Sequence, residues 1–534
     1  MDFFFAILPI LLLIVLLTKP RPLASHVALP LAALVLLVLK ATWFGASAAG
    51  LGADVVLGLL EALTPITIIW GAVFLFKTME HSGGMDVVRR WLNGVSDNPV
   101  AQLMIIGWAF AFLIEGASGF GTPAALAAPL LVAMGFPPAR TAVLTLMMNS
   151  VPVSFGAVGT PTWFGFAPLG LSEADVLTVS FKTAVLHAIA AFVIPPVALS
   201  FLVSWKQILR SLVFIVLSVM SCSVPLVLLA RINYEFPALV AGAIGLLLTV
   251  WLAHARVGLR RDDGTPDHET GNSPGVGELV KATFPLWGTV VILVVTRIHQ
   301  LGIKELLNLE APSFSLSLGF LGELSVSAAA VLHLNGAFGV GGGDGAWTYK
   351  TLYVPALIPF FVVSIAAFLL YRVDKTVVRR VVSESGQRMV RPVLALLGAL
   401  VLVRLMMSGG GSALVQLIGA KSAAMVGPLW PWFAPYLGAV GSFFSGSATI
   451  SNLTFGGIQA SIADNLSLNQ TTILSLQSLG GAMGNMVCIN NIVAVCSILG
   501  LTNREGFILR RTTLPMVAYG ILAAVCALVL FGFA

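Results

Sequence analysis

Apolar residues fall along this chain in long blocks separated by short polar joints. Runs that cross a bilayer, or nearly so, cover residues 3–17, 23–40, 63–79, 141–158, 181–204, 212–230, 236–254, 282–296, 354–371, 392–407, 472–499 and 514–533. A straight helical span needs about 20 apolar residues, so the shorter runs predict spans completed by flanking residues or local thinning of the lipid. Two further stretches, 103–134 and 429–462, are apolar at their ends but glycine-rich and polar at their centres. Backbone that leaves a helix at membrane depth has to line a cavity or pack in protein. Each of these stretches therefore predicts a re-entrant helical hairpin that enters and leaves on one side. Residues 314–334 fit either a partial span or an amphipathic surface helix. The pattern predicts an all-α polytopic membrane protein with about 12 transmembrane helices plus two re-entrant hairpins.

Charge supplies the orientation. Lys19 and Arg21, Arg89 and Arg90, Lys206 and Arg210, Arg256, Arg260 and Arg261, and the basic residues within 372–391 and 504–511 all fall on one side if the runs alternate and the hairpins return. Lysine and arginine collect in cytoplasmic loops, so that side is cytoplasmic and both termini lie outside. Asp2 replaces the basic flank of a secretory leader, and Lys19 and Arg21 follow the first run, which predicts a retained first helix. The first hairpin then opens from the inside and the second from the outside.

That opposition organises the chain. With an offset of about 330 residues, the helix starting at Leu63 falls on the one at Pro392, Glu115 on Ser445, Gly156 near Gly484, and the helix at Phe181 on the one at Leu514. This predicts an N-terminal repeat over 1–230 with an inward-opening hairpin at about 101–135, and an inverted C-terminal repeat over 282–534 with an outward-opening hairpin at about 429–463. A connecting helix and cytoplasmic linker occupy 231–281, the linker being the polar stretch 256–277. Secondary transporters built this way hold substrate at the midplane where the repeats meet.

Composition changes the picture only by exclusion. Of 534 residues, 58% are hydrophobic and 10% charged, and the mean hydropathy is +0.97. Soluble domains carry about 25% charged residues, so a soluble fold is excluded. The net charge of +6 is accounted for by the cytoplasmic loops and implies no nucleic-acid partner. Cys222, Cys488, Cys496 and Cys526 are isolated and read as small core residues. No metal site or cofactor is predicted, and no oligomeric state is read from the pattern.

Four polar islands carry the candidate chemistry. The first is residues 115–123, EGASGFGTP. An ionisable residue at membrane depth is costly and marks a functional site. Glu115 is the candidate proton carrier, and Ser118, Gly119, Gly121 and Thr122 are candidate substrate contacts. Thr122 followed by Pro123 reads as an N-cap and first helical turn, whose free N–H groups would face an anion. The second island, residues 149–161 (NSVPVSFGAVGTP), reads as a broken helix offering Asn149, Ser150 and Ser154. The third, residues 442–452 (SFFSGSATISN), is the tip of the second hairpin and offers Ser445, Ser447, Thr449, Ser451 and Asn452. The fourth, residues 480–491 (GGAMGNMVCINN), has Gly480 and Gly484 spaced for close helix packing and Asn485, Asn490 and Asn491 in need of partners. Arg404 reads as a snorkelling end-of-span residue, with a substrate contact as the alternative. His187 reads as a satisfied structural histidine rather than a proton relay. Residues 339–345 (GVGGGDG) have no strand–helix context for a nucleotide loop and read as an external loop.

These islands resemble the lactate permease family of bacterial and archaeal 2-hydroxycarboxylate transporters. Residues 115–121 (EGASGFG) are similar to the family's EGAxGFG motif. Residues 149–159, 445–452 and 480–491, and then 501–512 (LTNREGFILRRT), are similar to its later stretches. The resemblance runs from about Leu63 to the C-terminus and is weakest in the linker and over residues 297–353. Ala448 departs from members with aspartate or asparagine there, and the block around Asn485 departs from members with lysine and proline nearby. Membership implies proton-coupled uptake of L-lactate, often with D-lactate and glycolate, across the bacterial inner membrane. It also implies kinship with a superfamily of inverted-repeat ion transporters. A sodium-coupled variant stays open because asparagine oxygens suit sodium, as does a carrier of another anion. The competing class is an intramembrane protease. Residues 116–119 (GASG) fit a GxSG serine motif with His187 as base, and residues 341–344 fit GxGD. Both motifs are short, the second lacks a Tyr-Asp pair elsewhere, and so many spans exceed what such an enzyme needs.

Overall fold

A computed structural model describes residues 1–18, 23–119, 121–259, 274–297, 301–340, 345–355, 357–409 and 413–533, with the side chains of Thr18, Asn93 and Phe444 excepted. The basic pair Lys19 and Arg21, most of the linker, the 341–344 stretch and Phe120 lie outside these residues. The chain is mostly helical. Among the described residues, eight helices are long and apolar enough to cross a membrane, or up to ten if each of two bent pairs counts as one span. This is fewer than the number expected, because several apolar runs break into short helices. The run 181–204, for example, divides into Glu173–Ala190 and Ile194–Leu199, with Pro195 and Pro196 opening the second piece.

Two compact units emerge, and each draws on both halves of the sequence. One comprises Met1–Ser82 and Pro285–Gly427, the other Gly83–Phe284 and Pro428–Ala534.

In the first unit, helices Ser25–Thr42, Ala48–Glu61 and Lys375–Met407 approach closely through glycines. A Cβ at Gly398 would lie 2.5 Å from the Pro30 nitrogen, and one at Gly58 would lie 2.8 Å from the Val401 Cα. The helix Ala48–Glu61 was not among the expected runs. Asp54 and Glu61 interrupt its apolar character, and the structure pairs both. Arg404 Nη1 donates to Glu61 Oε1 at 2.7 Å and its Nε lies 3.9 Å from Asp54 Oδ1. Lys40 Nζ donates to Ser408 Oγ at 2.5 Å, and Ser408 donates to Asp54 Oδ2 at 2.6 Å. Arg404 therefore neither snorkels nor waits for an anion. The carboxylates one helix away hold it inside the unit. Glu61→Leu is expected to cost about 2–3 kcal/mol, since it removes the short partner of a largely buried cation. The check is a lowered thermal unfolding midpoint of the purified protein in lipid nanodiscs.

The same unit contains a correction to the all-α expectation. Residues 314–334 form neither a span nor a surface helix but most of a four-stranded antiparallel sheet, β1 (Ser313–Ser317), β2 (Glu323–Ser327), β3 (Val331–Asn335) and β4 (Trp347–Lys350), in that spatial order. The physical reason is periodicity. Residues 313–318 (SFSLSL) and 323–327 (ELSVS) alternate polar and apolar side chains with the period of a strand. Register follows, with Leu316 opposite Leu324 and Val326 opposite Leu332. Tyr349 ties the sheet to the unit by donating to Thr67 Oγ1 at 3.1 Å.

The second unit holds every polar island. A first hairpin (Pro99–Ser118 and Thr122–Ala133) is followed by a broken helix (Pro138–Asn149, then Gly156–Trp163) and the helix Glu173–Ala190. A second hairpin (Trp430–Ser445 and Ala448–Asn465) is followed by an interrupted helix (Gln470–Gly484, then Ile489–Ile498) and the helix Glu505–Phe531. Glycines set the close approaches. A Cβ at Gly116 would lie 2.3 Å from the Leu239 nitrogen, and one at Gly480 would lie 2.0 Å from the Pro435 oxygen.

Candidate functional site

The tips of both hairpins and the breaks of both following helices converge on one cleft of about 250 Å³ in the second unit. Its lining is Glu115, Gly119, Val153, Gly156, Ala157, Pro161, Gly446, Ser447, Ala448, Thr449 and Asn485. Glu115 is the one ionisable side chain in this set, and no cation accompanies it.

The residues of 115–121 divide their work. Glu115 is 2% exposed and its Oε2 accepts from Asn149 Nδ2 at 3.0 Å. Gly116 permits the contact with Leu239. Ser118 spends its hydroxyl on the Ile114 carbonyl at 3.0 Å, inside its own helix. Gly119 ends the first arm at φ 62 and faces the cleft. Gly121 starts the second arm at φ 74, where a Cβ would lie 2.9 Å from Asn491 Oδ1. Thr122 is not the N-cap. Gly121 takes that position in the left-handed region, and no side chain caps the helix. The hydroxyl of Thr122 therefore does not start the helix, because glycine meets the positive φ that the tight turn requires.

The second hairpin presents a true helix start to the cleft. Ser447 is the N-cap of Ala448–Asn465 and its Oγ accepts from the Ile450 N–H at 3.3 Å. The N–H groups of Ala448 and Thr449 lie in the first turn, before the helical ladder begins. They find no acceptor among the described residues and both line the cleft. Ser445 shapes the turn instead, accepting from the Ser447 N–H at 3.1 Å. Ser451 donates to the Gly438 carbonyl at 2.6 Å, and Asn452 donates to the Pro161 carbonyl at 2.8 Å.

Between Gly156 and Pro161 the broken helix makes a left-handed turn, with φ 43 at Ala157, 57 at Val158 and 68 at Gly159. Such a conformation costs roughly 1–2 kcal/mol per non-glycine residue, and it is placed at the cleft wall. Ser150 bonds back to the Met147 carbonyl at 2.7 Å. Among the described residues, Asn149 Oδ1 is buried without a hydrogen-bond partner. Asn485 lines the cleft and its side-chain oxygen accepts from Asn491 Nδ2. Asn490 is exposed on the surface of the unit.

Ser154 lies away from the cleft lining, in a network that satisfies His187. Tyr519 bonds His187 Nδ1 at 2.5 Å, and His187 Nε2 meets Ser154 Oγ at 2.8 Å. Ser154 donates to the Ser478 carbonyl at 3.1 Å. A neutral imidazole protonated on Nε2 fits all of these bonds, with the tyrosine donating to Nδ1. His187 is thus committed to Ser154 and Tyr519, and it forms no pair with Ser118, so the serine-protease arrangement is not assembled. Tyr519→Phe leaves Nδ1 buried without a donor and is expected to cost about 1–2 kcal/mol, read as a lower unfolding midpoint. Gln459 and Gln477, both fully buried, had no place in the sequence reading. An uncharged amide within an apolar run was the available signal.

The model of a family described as L-lactate permease matches residues 2–533. A Haemophilus influenzae protein provisionally named an L-lactate permease is 48% identical over 530 residues, covering 99% of this chain and 98% of that one. An L-lactate permease of Escherichia coli K12 is 26% identical over 529 residues, covering 95% and 92%. A glycolate permease of the same strain is 25% identical over 477 residues, covering 85% and 82%.

Proposed function

The chain belongs to the L-lactate permease family, a family of membrane transporters rather than enzymes, and on that premise we propose that it takes up L-lactate and related small 2-hydroxymonocarboxylates, D-lactate and glycolate, by proton symport. The observation that carries this reading is the cleft in which one carboxylate faces the start of the helix Ala448–Asn465, whose first two N–H groups are left over by the Ser447 cap. The free N–H groups of Ala448 and Thr449, at the positive end of an 18-residue helix, suit a carboxylate. Asn485 and the hydroxyls of Ser447 and Thr449 suit a 2-hydroxyl. The E. coli glycolate permease among the relatives supports the same substrate range.

Charge supports the coupling. A substrate carboxylate and an ionised Glu115 in one cleft repel, and among the described residues no lysine or arginine lines the cleft to offset them. The proton therefore sits on Glu115 when the anion is bound. A lining without fixed positive charge also disfavours a dianion. Asn149 Oδ1, orphaned beside Glu115, accepts the acid proton if its amide turns over. The same orphan oxygen is the observation that favours a sodium-coupled second reading. The succession of hairpin, broken helix and long helix in both halves supports two inverted repeats, 1–230 and 282–534. It also suits about 12 spans in a bacterial inner membrane with both termini outside.

The test is uptake of radiolabelled L-lactate into proteoliposomes of the purified protein, under an imposed pH gradient or an imposed sodium gradient. Accumulation driven by the pH gradient and competed by glycolate is expected. Accumulation under the sodium gradient alone would replace the proton with sodium.

A further inference from the structure

A line of buried hydrogen bonds crosses the second unit from the start of the second hairpin to the cleft. Trp430 Nε1 donates to Gln459 Oε1 at 2.7 Å, and Gln459 Nε2 donates to Gln477 Oε1 at 2.9 Å. Gln477 Nε2 donates to Asn452 Oδ1 at 3.3 Å, and Asn452 Nδ2 donates to the Pro161 carbonyl at 2.8 Å. Gln459, Gln477 and Asn452 are each at most 1% exposed.

The direction of this line is dictated by its ends. An indole N–H only donates, and a proline carbonyl only accepts. Between them, three primary amides have one orientation that pairs every group. Side branches agree with it. Gln459 gives its second N–H to the Ala434 carbonyl at 3.0 Å, and Gln477 gives its second to Ser451 Oγ at 3.1 Å. Ser451 is itself committed as a donor to the Gly438 carbonyl.

The last bond of the line spans the cleft's two walls. Asn452 stands one turn into the helix that begins at Ala448, and Ala448 lines one wall. Pro161 lines the other, next to the strained turn 157–159. If the Asn452 amide turned over, its oxygen would face the Pro161 carbonyl, replacing an attraction with a repulsion.

We propose that Gln477 is a positioning residue for the cleft: it fixes the Asn452 amide, which holds the wall carrying Gly156, Ala157 and Pro161 at its distance from the helix start at Ala448. The proposal rests on the reading of this cleft as the substrate site. Gln477 touches no cleft surface itself and acts through Asn452.

The test uses full-length protein carrying Gln477→Met, an apolar side chain of similar length, and Trp430→Phe, which removes only the far donor. Gln477→Met is expected to raise the KM for L-lactate about tenfold, the worth of roughly one hydrogen bond to a buried group, with Vmax per folded protein within about twofold. Trp430→Phe is expected to raise KM by about threefold, because the bonds nearer the cleft survive. Hydrogen exchange followed by mass spectrometry is expected to quicken at 156–163 in both variants, ahead of the rest of the unit. A merely structural role would lower the yield of folded protein and leave KM and the exchange pattern of the folded fraction unchanged, which would overturn the proposal. If Gln477→Met does not fold, Trp430→Phe decides on the same two readouts. If the wild type takes up no L-lactate, the uptake reading fails by itself and exchange at 156–163 alone decides for or against the positioning role.

Discussion

Glu115→Gln is expected to abolish accumulation of L-lactate against its gradient while leaving exchange of internal for external lactate intact. Glutamine has the size of the neutral acid and can be neither charged nor deprotonated. Its amide fits beside Asn149, whose Oδ1 has no partner and can accept from it. The cleft then mimics the proton-loaded state permanently and still binds the anion, but no proton crosses with it. A gradient of one pH unit is worth about 1.4 kcal/mol and supports about tenfold accumulation, so the internal-to-external ratio falls from about ten to one. The check is a paired measurement of pH-driven uptake and lactate counterflow in the same proteoliposomes. Full accumulation in the variant would remove Glu115 from the coupling. Loss of counterflow as well would make it a binding or folding residue instead.

Gly156→Ala is expected to lower uptake by at least about 100-fold, corresponding to some 3 kcal/mol, at the upper end of what overpacking a closed site costs. A Cβ at this position would lie 2.3 Å from Glu115 Oε1 and 3.2 Å from its Cδ. The carboxyl oxygen has to move, and moving it strains the hydrogen bond that the other oxygen accepts from Asn149. Either Glu115 leaves the cleft or the turn before Ala157 shifts, and both remove the arrangement that faces Ala448. Gly156 has φ −64 and ψ 157, which alanine adopts freely, so the loss comes from the methyl group and not from backbone strain. Initial uptake rate per folded transporter, with the folded fraction measured by gel filtration, checks it. An uptake rate within a factor of about three of wild type would mean that the contact relaxes harmlessly.

The sequence made the helical segments legible because apolar blocks are long and polar joints short. The two polar-centred stretches each fold as a helical hairpin, and glycine explains why. Gly119, Gly121 and Gly446 take left-handed turns that other residues resist. What failed did so for identifiable reasons. The sheet was hidden because its strands are short and the alternation in 313–327 also fits an amphipathic helix in part. Ala48–Glu61 was missed because its two carboxylates find cations only after folding. At the site, residue type predicted the neighbourhood but not the assignment. Ser118, Ser150, Ser445 and Ser451 spend their hydroxyls on nearby backbone, as short polar side chains in helices commonly do. Ser447 and Thr449 remain at the cleft because they begin a helix and do not sit within one. Gln477 was invisible because its role depends on the fixed ends of a hydrogen-bond line, which no local pattern records.

On the proposed reading, the cleft takes up a monocarboxylate and a proton together, with the proton on Glu115. The most direct test is calorimetric titration of L-lactate into the purified wild type and Glu115→Gln in buffers of different ionisation enthalpy, above the pH at which a buried carboxyl protonates unaided. Lactate binding by the wild type is expected to draw close to one proton from the buffer, and the glutamine variant to bind lactate and draw none. Lactate binding without proton uptake in the wild type, or equal uptake in both proteins, would contradict it.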